Sequence, residues 1–151
     1  MYALVYISEA DQLFEPSTLQ ALADNANRRN RLLSITGFLT YKEGQFLQYL
    51  EGGEKAVNDL MNTIQNDPRH TVIKVIKIPG QPQRYLNGWH MRYLSGLDLK
   101  SVSLDDLLAG TLNKLDSKIY SEEKVLQLVQ RILIRFSRYF EDNPQAFFPP
   151  L

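Results

Sequence analysis

Two apolar runs in the middle of the chain, SITGFLTY from Ser34 and QFLQYLEG from Gln45, are separated only by Lys42, Glu43 and Gly44. So short a connection, with a glycine that accepts positive φ, predicts a β-hairpin. Both runs are apolar at odd and even positions alike, so neither face of the hairpin is suited to water. The chain must therefore fold as layers that cover a sheet on both sides.

Gln48 sits badly in that picture. Along a strand it points the same way as Phe46 and Leu50, into the core. A carboxamide brings two N–H donors and an accepting oxygen, and burying it unpaired costs about 1–3 kcal/mol. The core must offer it polar atoms.

Periodicity places the other elements around the hairpin. YALVYIS, Tyr2 to Ser8, reads as a strand, and a helix with Leu19, Leu22, Ala23 and Ala26 on one stripe follows Pro16 and Ser17. A second helix carries Val57, Leu60, Met61 and Ile64 and should stop near Pro68, which disfavours helical backbone in Asp67. TVIKVIKI is a fourth strand, and GWHMRYL, after a loop rich in Pro, Gly and Gln, is expected to be a fifth. The order βαββαβ plus one strand predicts an α+β, ferredoxin-like sandwich, with two helices on one face of an antiparallel sheet. In that order the first and third strands are central neighbours, so Tyr6 and Gln48 can meet if they share a face.

The opposite face is expected to be covered by the C-terminal segment. Val125, Leu128, Val129, Ile132 and Phe136 form a stripe in a helix from about Ser121 to Phe140. SLDDLLAG is a shorter helix with Ser103 as its expected N-cap. Leu126, Leu133 and Ile134 lie off the main stripe and point to a partner or a second subunit.

Composition removes whole classes of function. There is no cysteine among the 151 residues, hence no disulfide, thiolate nucleophile or Cys-ligated zinc. Seventeen basic residues balance seventeen acidic ones, so no net field draws nucleic acid or an acidic membrane. No run reaches membrane-spanning length and the start lacks a signal-peptide pattern, so a cytoplasmic protein is expected. Asp67, His70 and His90 are too few and too scattered for a metal site. No nucleophile elbow or phosphate-binding glycine loop is present. A small enzyme such as an acylphosphatase needs an arginine-bearing loop after the first strand, and SEADQLF contains none.

Polar residues also fall on the apolar faces. Asn30 extends the inner stripe of the first helix, Tyr6 shares a strand face with Leu4, and Gln48 one with Leu50. Each alone has an ordinary explanation as a core tyrosine, a frayed helix end or a satisfied amide. Together, between two helices and a sheet, they suit a planar ligand with a polar edge.

Five ordered blocks, LVYIS, NRRNRLLSITGFLTY, GQFLQYLEG, DPRH and WHM, resemble the BLUF family of flavin-binding blue-light sensors from about Met1 to Leu94. The resemblance implies a flavin-binding domain over 1–97 with a helical extension over 98–151. It implies FAD, for which FMN or riboflavin could substitute. On it, Tyr6 is the photoactive electron and proton donor and Gln48 the amide that rearranges. Asn30, Arg29, Ile64, Asp67, Arg69 and His70 would contact the flavin, and Trp89 and Met91 would relay the signal from one face of the fifth strand. NRRNR, Asn27 to Arg31, is a basic cluster at a helix end, whose Arg28 and Arg31 would on this resemblance neutralise the cofactor's phosphates. The family resemblance further implies a non-enzymatic protein that signals to a separate protein partner and forms homo-oligomers. The competing expectation is a ferredoxin-like binding module with no chromophore and no response to light. The closing FFPPL is a candidate docking peptide or a plain disordered end.

Overall fold

The computed structural model describes residues 1–112 and 121–142. The chain divides into two units, Met1–Ser95 and Gly96–Leu151. FFPPL lies outside the described residues.

The first unit is a five-stranded sheet with two helices. Strand β1 (Tyr2–Ala10) leads to helix α1 (Pro16–Leu32), then to the hairpin β2 (Thr36–Lys42) and β3 (Gln45–Gly52). Helix α2 (Glu54–Gln65) and strand β4 (His70–Ile78) follow, and β5 (Arg92–Tyr93) closes the sheet. The spatial order is β4-β1-β3-β2-β5, so the first and third strands are the central pair. All pairings are antiparallel except β5 against β2, which makes the sheet mixed.

Local sequence explains the joints. The hairpin turn is Glu43-Gly44, both at positive φ (49° and 85°), which is the backbone that matches the twist of the flanking strands. Pro16 occupies the first turn of α1, where its missing N–H costs nothing and its fixed φ suits the helix. Gly37 lies so close to β3 that a Cβ there would sit 2.0 Å from the Tyr49 carbonyl oxygen.

One sheet face packs against the helices. Leu4, Tyr6, Leu39 and Leu50 meet Leu19 and Ala23 of α1 and Val57, Leu60, Met61 and Ile64 of α2. Fully burying a leucine side chain contributes about 1.5–3 kcal/mol. A hydrogen bond from the Tyr2 hydroxyl to Asn58 Oδ1, 3.0 Å, adds a polar tie between β1 and α2. On the other face Phe38 and Tyr49 stack with ring centroids 5.5 Å apart.

The fifth strand departs from expectation. Only Arg92–Tyr93 pair, and Trp89, His90 and Met91 lie outside any strand. Gly88 at φ 84° turns the chain just before them. The alternation that would place Trp89 and Met91 on one strand face therefore does not operate.

In the second unit, α3 (Gly96–Ser101), α4 (Asp105–Thr111) and α5 (Glu122–Asp142) pack in succession. Helix α3 was not anticipated. Ser103 is not the N-cap of α4: Leu104 holds that position, and Ser103 itself is at φ 60°. On α5 the expected stripe Val125, Leu128, Val129, Ile132 and Phe136 is buried. Leu133, expected off the stripe, is buried as well, whereas Ile134 is exposed. Among the described residues no helix is long and apolar enough to cross a membrane.

Candidate functional site

The central strand pair sets Tyr6 directly opposite Gln48. Both side chains are buried, and the phenol donates to Gln48 Oε1. Burial pushes the Tyr6 phenol well above its ordinary value, with Arg29 opposing and Asp67 reinforcing the shift. The hydroxyl thus stays protonated and stays the donor. It also fixes the amide: with Oε1 taken, Gln48 presents its N–H groups away from Tyr6. Among the described residues that amide meets only the Met91 thioether, with Nε2 to Sδ 3.4 Å. Sulfur is a weak acceptor, so a buried donor group stands on the wall with little to receive it.

That wall bounds a cavity of about 220 Å³ between α1, α2 and the sheet. Leu22 and Ala26 of α1, Ile64 of α2, and Leu39 and Phe46 of the sheet give it flat apolar sides. Asn25, Arg29, Asp67, Arg69 and His70 gather polar groups along its rim. Phe14, in the loop after β1, packs edge-on against Phe46 at 5.3 Å. Its N–H donates to the Tyr41 hydroxyl at 3.1 Å, which pins the loop over the cavity.

Three rim residues have definite partners. His70 Nε2–H donates to the Ile64 carbonyl at 2.7 Å, and Nδ1 lies 2.7 Å from the Ser8 hydroxyl. A carbonyl can only accept, so the first contact places a proton on Nε2. Asp67 and Arg69 form a forked ion pair with contacts of 2.5 to 3.1 Å. Hydrogen bonding from Arg69 lowers the Asp67 carboxyl to about 2, so it remains charged at any working pH.

Not every expected residue reaches the cavity. Tyr6, Arg29, Gln48, Ile64, Asp67, Arg69, His70 and Met91 line it. Asn30 is fully buried beside it and spans to the last segment, with Nδ2 donating to the His90 carbonyl at 2.8 Å. Its Oδ1 accepts from Arg29 Nε at 3.1 Å. Trp89 is buried outside the cavity lining, with the Arg92 guanidinium 4.8 Å from its ring centre. Arg28 and Arg31 bond to Asn25 and Asn27 of their own helix, on its exposed side.

Several contributors were missed in the sequence. Asn27 Nδ2 donates to the Met91 carbonyl at 3.1 Å. Its spacing of three from Asn30 puts both on one helix face, a signal the basic cluster obscured. Phe14 and Leu39 gave no signal beyond being apolar. Among the described residues no group of three His, Cys, Asp or Glu is arranged to hold a metal ion.

The arrangement suits a flat aromatic ring with hydrogen-bonding atoms on its edge. Its faces would lie against aliphatic side chains and its edge would meet the weakly bonded Gln48 amide and the polar rim.

Comparison with known proteins agrees with this chemistry. The family model described as BLUF, sensors of blue-light using FAD, matches residues 1–92. The photoactivated adenylate cyclase subunit beta of Euglena longa is 44% identical over 87 residues, 57% of this chain and 10% of that protein. The blue light- and temperature-regulated antirepressor BluF of Escherichia coli (strain K12) is 29% identical over 142 residues, 91% of this chain and 34% of that protein. The chain thus spans about a tenth of the cyclase subunits it matches. The dark-state structure of BlrB, a BLUF protein, superposes with a TM-score of 0.65 at 26% identity, covering 91% of this chain and 96% of that one. The Klebsiella pneumoniae BlrP1 structure gives 0.60 at 29% identity, covering 91% of this chain and 34% of that one.

Proposed function

The chain belongs to the BLUF family, the sensors of blue light using FAD, and we propose that it senses light through Tyr6 and Gln48 and passes the signal to a separate protein. The observation that carries this reading is the hydrogen bond from the Tyr6 phenol to Gln48 Oε1 on the wall of the cavity.

Bound FAD supplies blue-light absorption and an excited state that draws an electron. Leu22, Ala26 and Ile64 would hold the faces of its ring, while Arg29, Asp67, Arg69 and His70 would serve its polar edge and side chain. Asn30 contributes by fixing Arg29 and the His90 backbone, and its second N–H and second oxygen lone pair remain for the cofactor's edge. Tyr6 is the donor. Its hydroxyl proton already lies on the line to Gln48 Oε1, so loss of an electron from the phenol moves the proton along that bond. Electron and proton return to Tyr6, and no net redox change remains.

What persists is the carboxamide. Gln48 settles rotated, or in its imidic form, with donor and acceptor ends exchanged. So turned, Gln48 would offer a donor to the edge of a bound flavin, and a new donor at a ring carbonyl would lower the excitation energy and move absorption to the red. Met91 loses or changes its contact with the amide, and its flexible thioether tolerates two positions. That is the bistable element a switch needs.

The output is assigned to the helical extension, 98–151, acting on a downstream protein or a second copy of the chain. Exposed Ile134 on α5 offers apolar surface for such a contact. The test of the sensor reading is the absorption spectrum of purified, FAD-loaded protein before and during blue illumination.

A further inference from the structure

The face of β3 turned away from the cavity carries a second polar cluster, centred on Glu51. Its side chain is 0% exposed, and the sheet places it opposite Thr36. Four donors converge on the carboxylate. Thr36 Oγ1–H at 2.9 Å and the Leu86 N–H at 2.7 Å donate to Oε1. The Tyr49 hydroxyl at 2.8 Å and the Tyr85 N–H at 3.1 Å donate to Oε2. Two carboxylate oxygens offer about four lone-pair sites, so an ionised Glu51 is fully satisfied here. Arg84 closes the cluster, with Nη1 donating to Thr36 Oγ1 at 2.8 Å and Nη2 to the Ser34 carbonyl at 2.9 Å.

What the carboxylate grips is the loop between β4 and β5, by two consecutive backbone N–H groups. From the buried Leu86 the chain runs on under tight control. Trp89 N–H donates to the Leu86 carbonyl at 3.1 Å, and the Trp89 carbonyl accepts from Gly37 N–H at 2.7 Å. Met91 then arrives beside Gln48. Glu51 and Gln48 lie on opposite faces of one strand, and each touches one end of segment 86–91.

We propose that Glu51 is a positioning residue of the photoresponse: its carboxylate fixes the start of segment 86–91 and thereby holds Met91 against Gln48. The role rests on the sensor reading above. Hydrogen bonds to an ionised acceptor are roughly twice as strong as neutral ones, so the Tyr85 and Leu86 N–H contacts to the carboxylate hold the start of the segment firmly. How readily the Met91 end yields to a rearranged Gln48 depends on how firmly its other end is held.

The test is Glu51→Gln, which keeps the volume but puts an NH₂ where one oxygen accepted from the backbone. The FAD-loaded variant is expected to keep its red shift under blue light. Its recovery in darkness changes about three-fold or more, the effect of one hydrogen bond. Acrylamide quenching of Trp89, the single tryptophan of the chain, rises about two-fold or more as the loosened segment opens. Thr36→Val removes one donor, keeps the packing, and moves both readouts the same way by less; it decides the matter if Glu51→Gln does not fold. Recovery and quenching at wild-type values in the folded variants, whatever their melting temperatures, would overturn the proposal. A wild-type protein with no red shift would overturn the sensor reading instead, and Trp89 quenching would still report whether Glu51 holds the segment.

Discussion

Tyr6 and Gln48 face each other across the two central strands, and the phenol of one donates to the carboxamide oxygen of the other. This single bond sets the direction of the Gln48 amide, and with it which group the cavity wall offers to a ligand. Its consequences can be measured one residue at a time.

Tyr6→Phe removes the hydroxyl and keeps the ring that packs in the core. The variant should fold and hold FAD, while the light-induced red shift disappears from the difference spectrum. A shift of normal size in this variant would mean that another group supplies the electron.

Gln48→Ala should likewise hold FAD and lose the shift. It also leaves the buried Tyr6 hydroxyl without its acceptor, at a cost of about 1–3 kcal/mol. Urea unfolding of the FAD-free protein should show a drop of that order, and unchanged stability would indicate that the phenol finds another partner.

Gly37→Ala tests the sheet. The added methyl would press on the Tyr49 carbonyl, a backbone atom that can only move with the strand. Overpacking of this kind costs about 1–3 kcal/mol and occasionally more, and here the upper end is expected. A variant as stable as the parent in urea would show that β2 and β3 are not so close.

Two of the buried phenols, Tyr6 and Tyr49, make stability fall at high pH. Burial raises Tyr6 and, with help from the Glu51 charge, Tyr49 above the ordinary tyrosine value. The unfolded chain releases these protons near pH 10 while the native state keeps them. Their contribution is therefore fully present below about pH 10 and is lost above it, by roughly 1.4 kcal/mol per pH unit for each phenol. Urea midpoints taken from pH 8 to 11 should show this, and Tyr49→Phe should lose about half of the slope. Equal slopes in both proteins would contradict the assignment.

The fold was readable because its signals are local. Apolar alternation, the Glu43-Gly44 turn and Pro68 each act within a few residues, and they yield β1 to β4, α1 and α2 with nearly correct ends. Strand order put the strands of Tyr6 and Gln48 side by side, but the shared face and the register that set them opposite each other came only with the structure. The Trp89–Met91 stretch was not readable. Its backbone is decided by distant groups, Asn27 and Asn30 on α1, Gly37 on β2 and Glu51 on β3, and apolar alternation there imitates a strand. Asn30 shows a related limit: helical spacing correctly turned it inward, but only tertiary contacts decide that its amide grips the His90 carbonyl. Ser103 looked like a cap from its hydroxyl, yet the helix begins beyond it at a backbone angle no spacing rule supplies.

The most direct measurement is the visible absorption spectrum of FAD-loaded protein, recorded in the dark, during blue light and through recovery. The account predicts a flavin band that moves to longer wavelength on illumination and returns in darkness, with no lasting reduction of the flavin. A protein that takes up no flavin, or whose band stays in place under illumination, would contradict it.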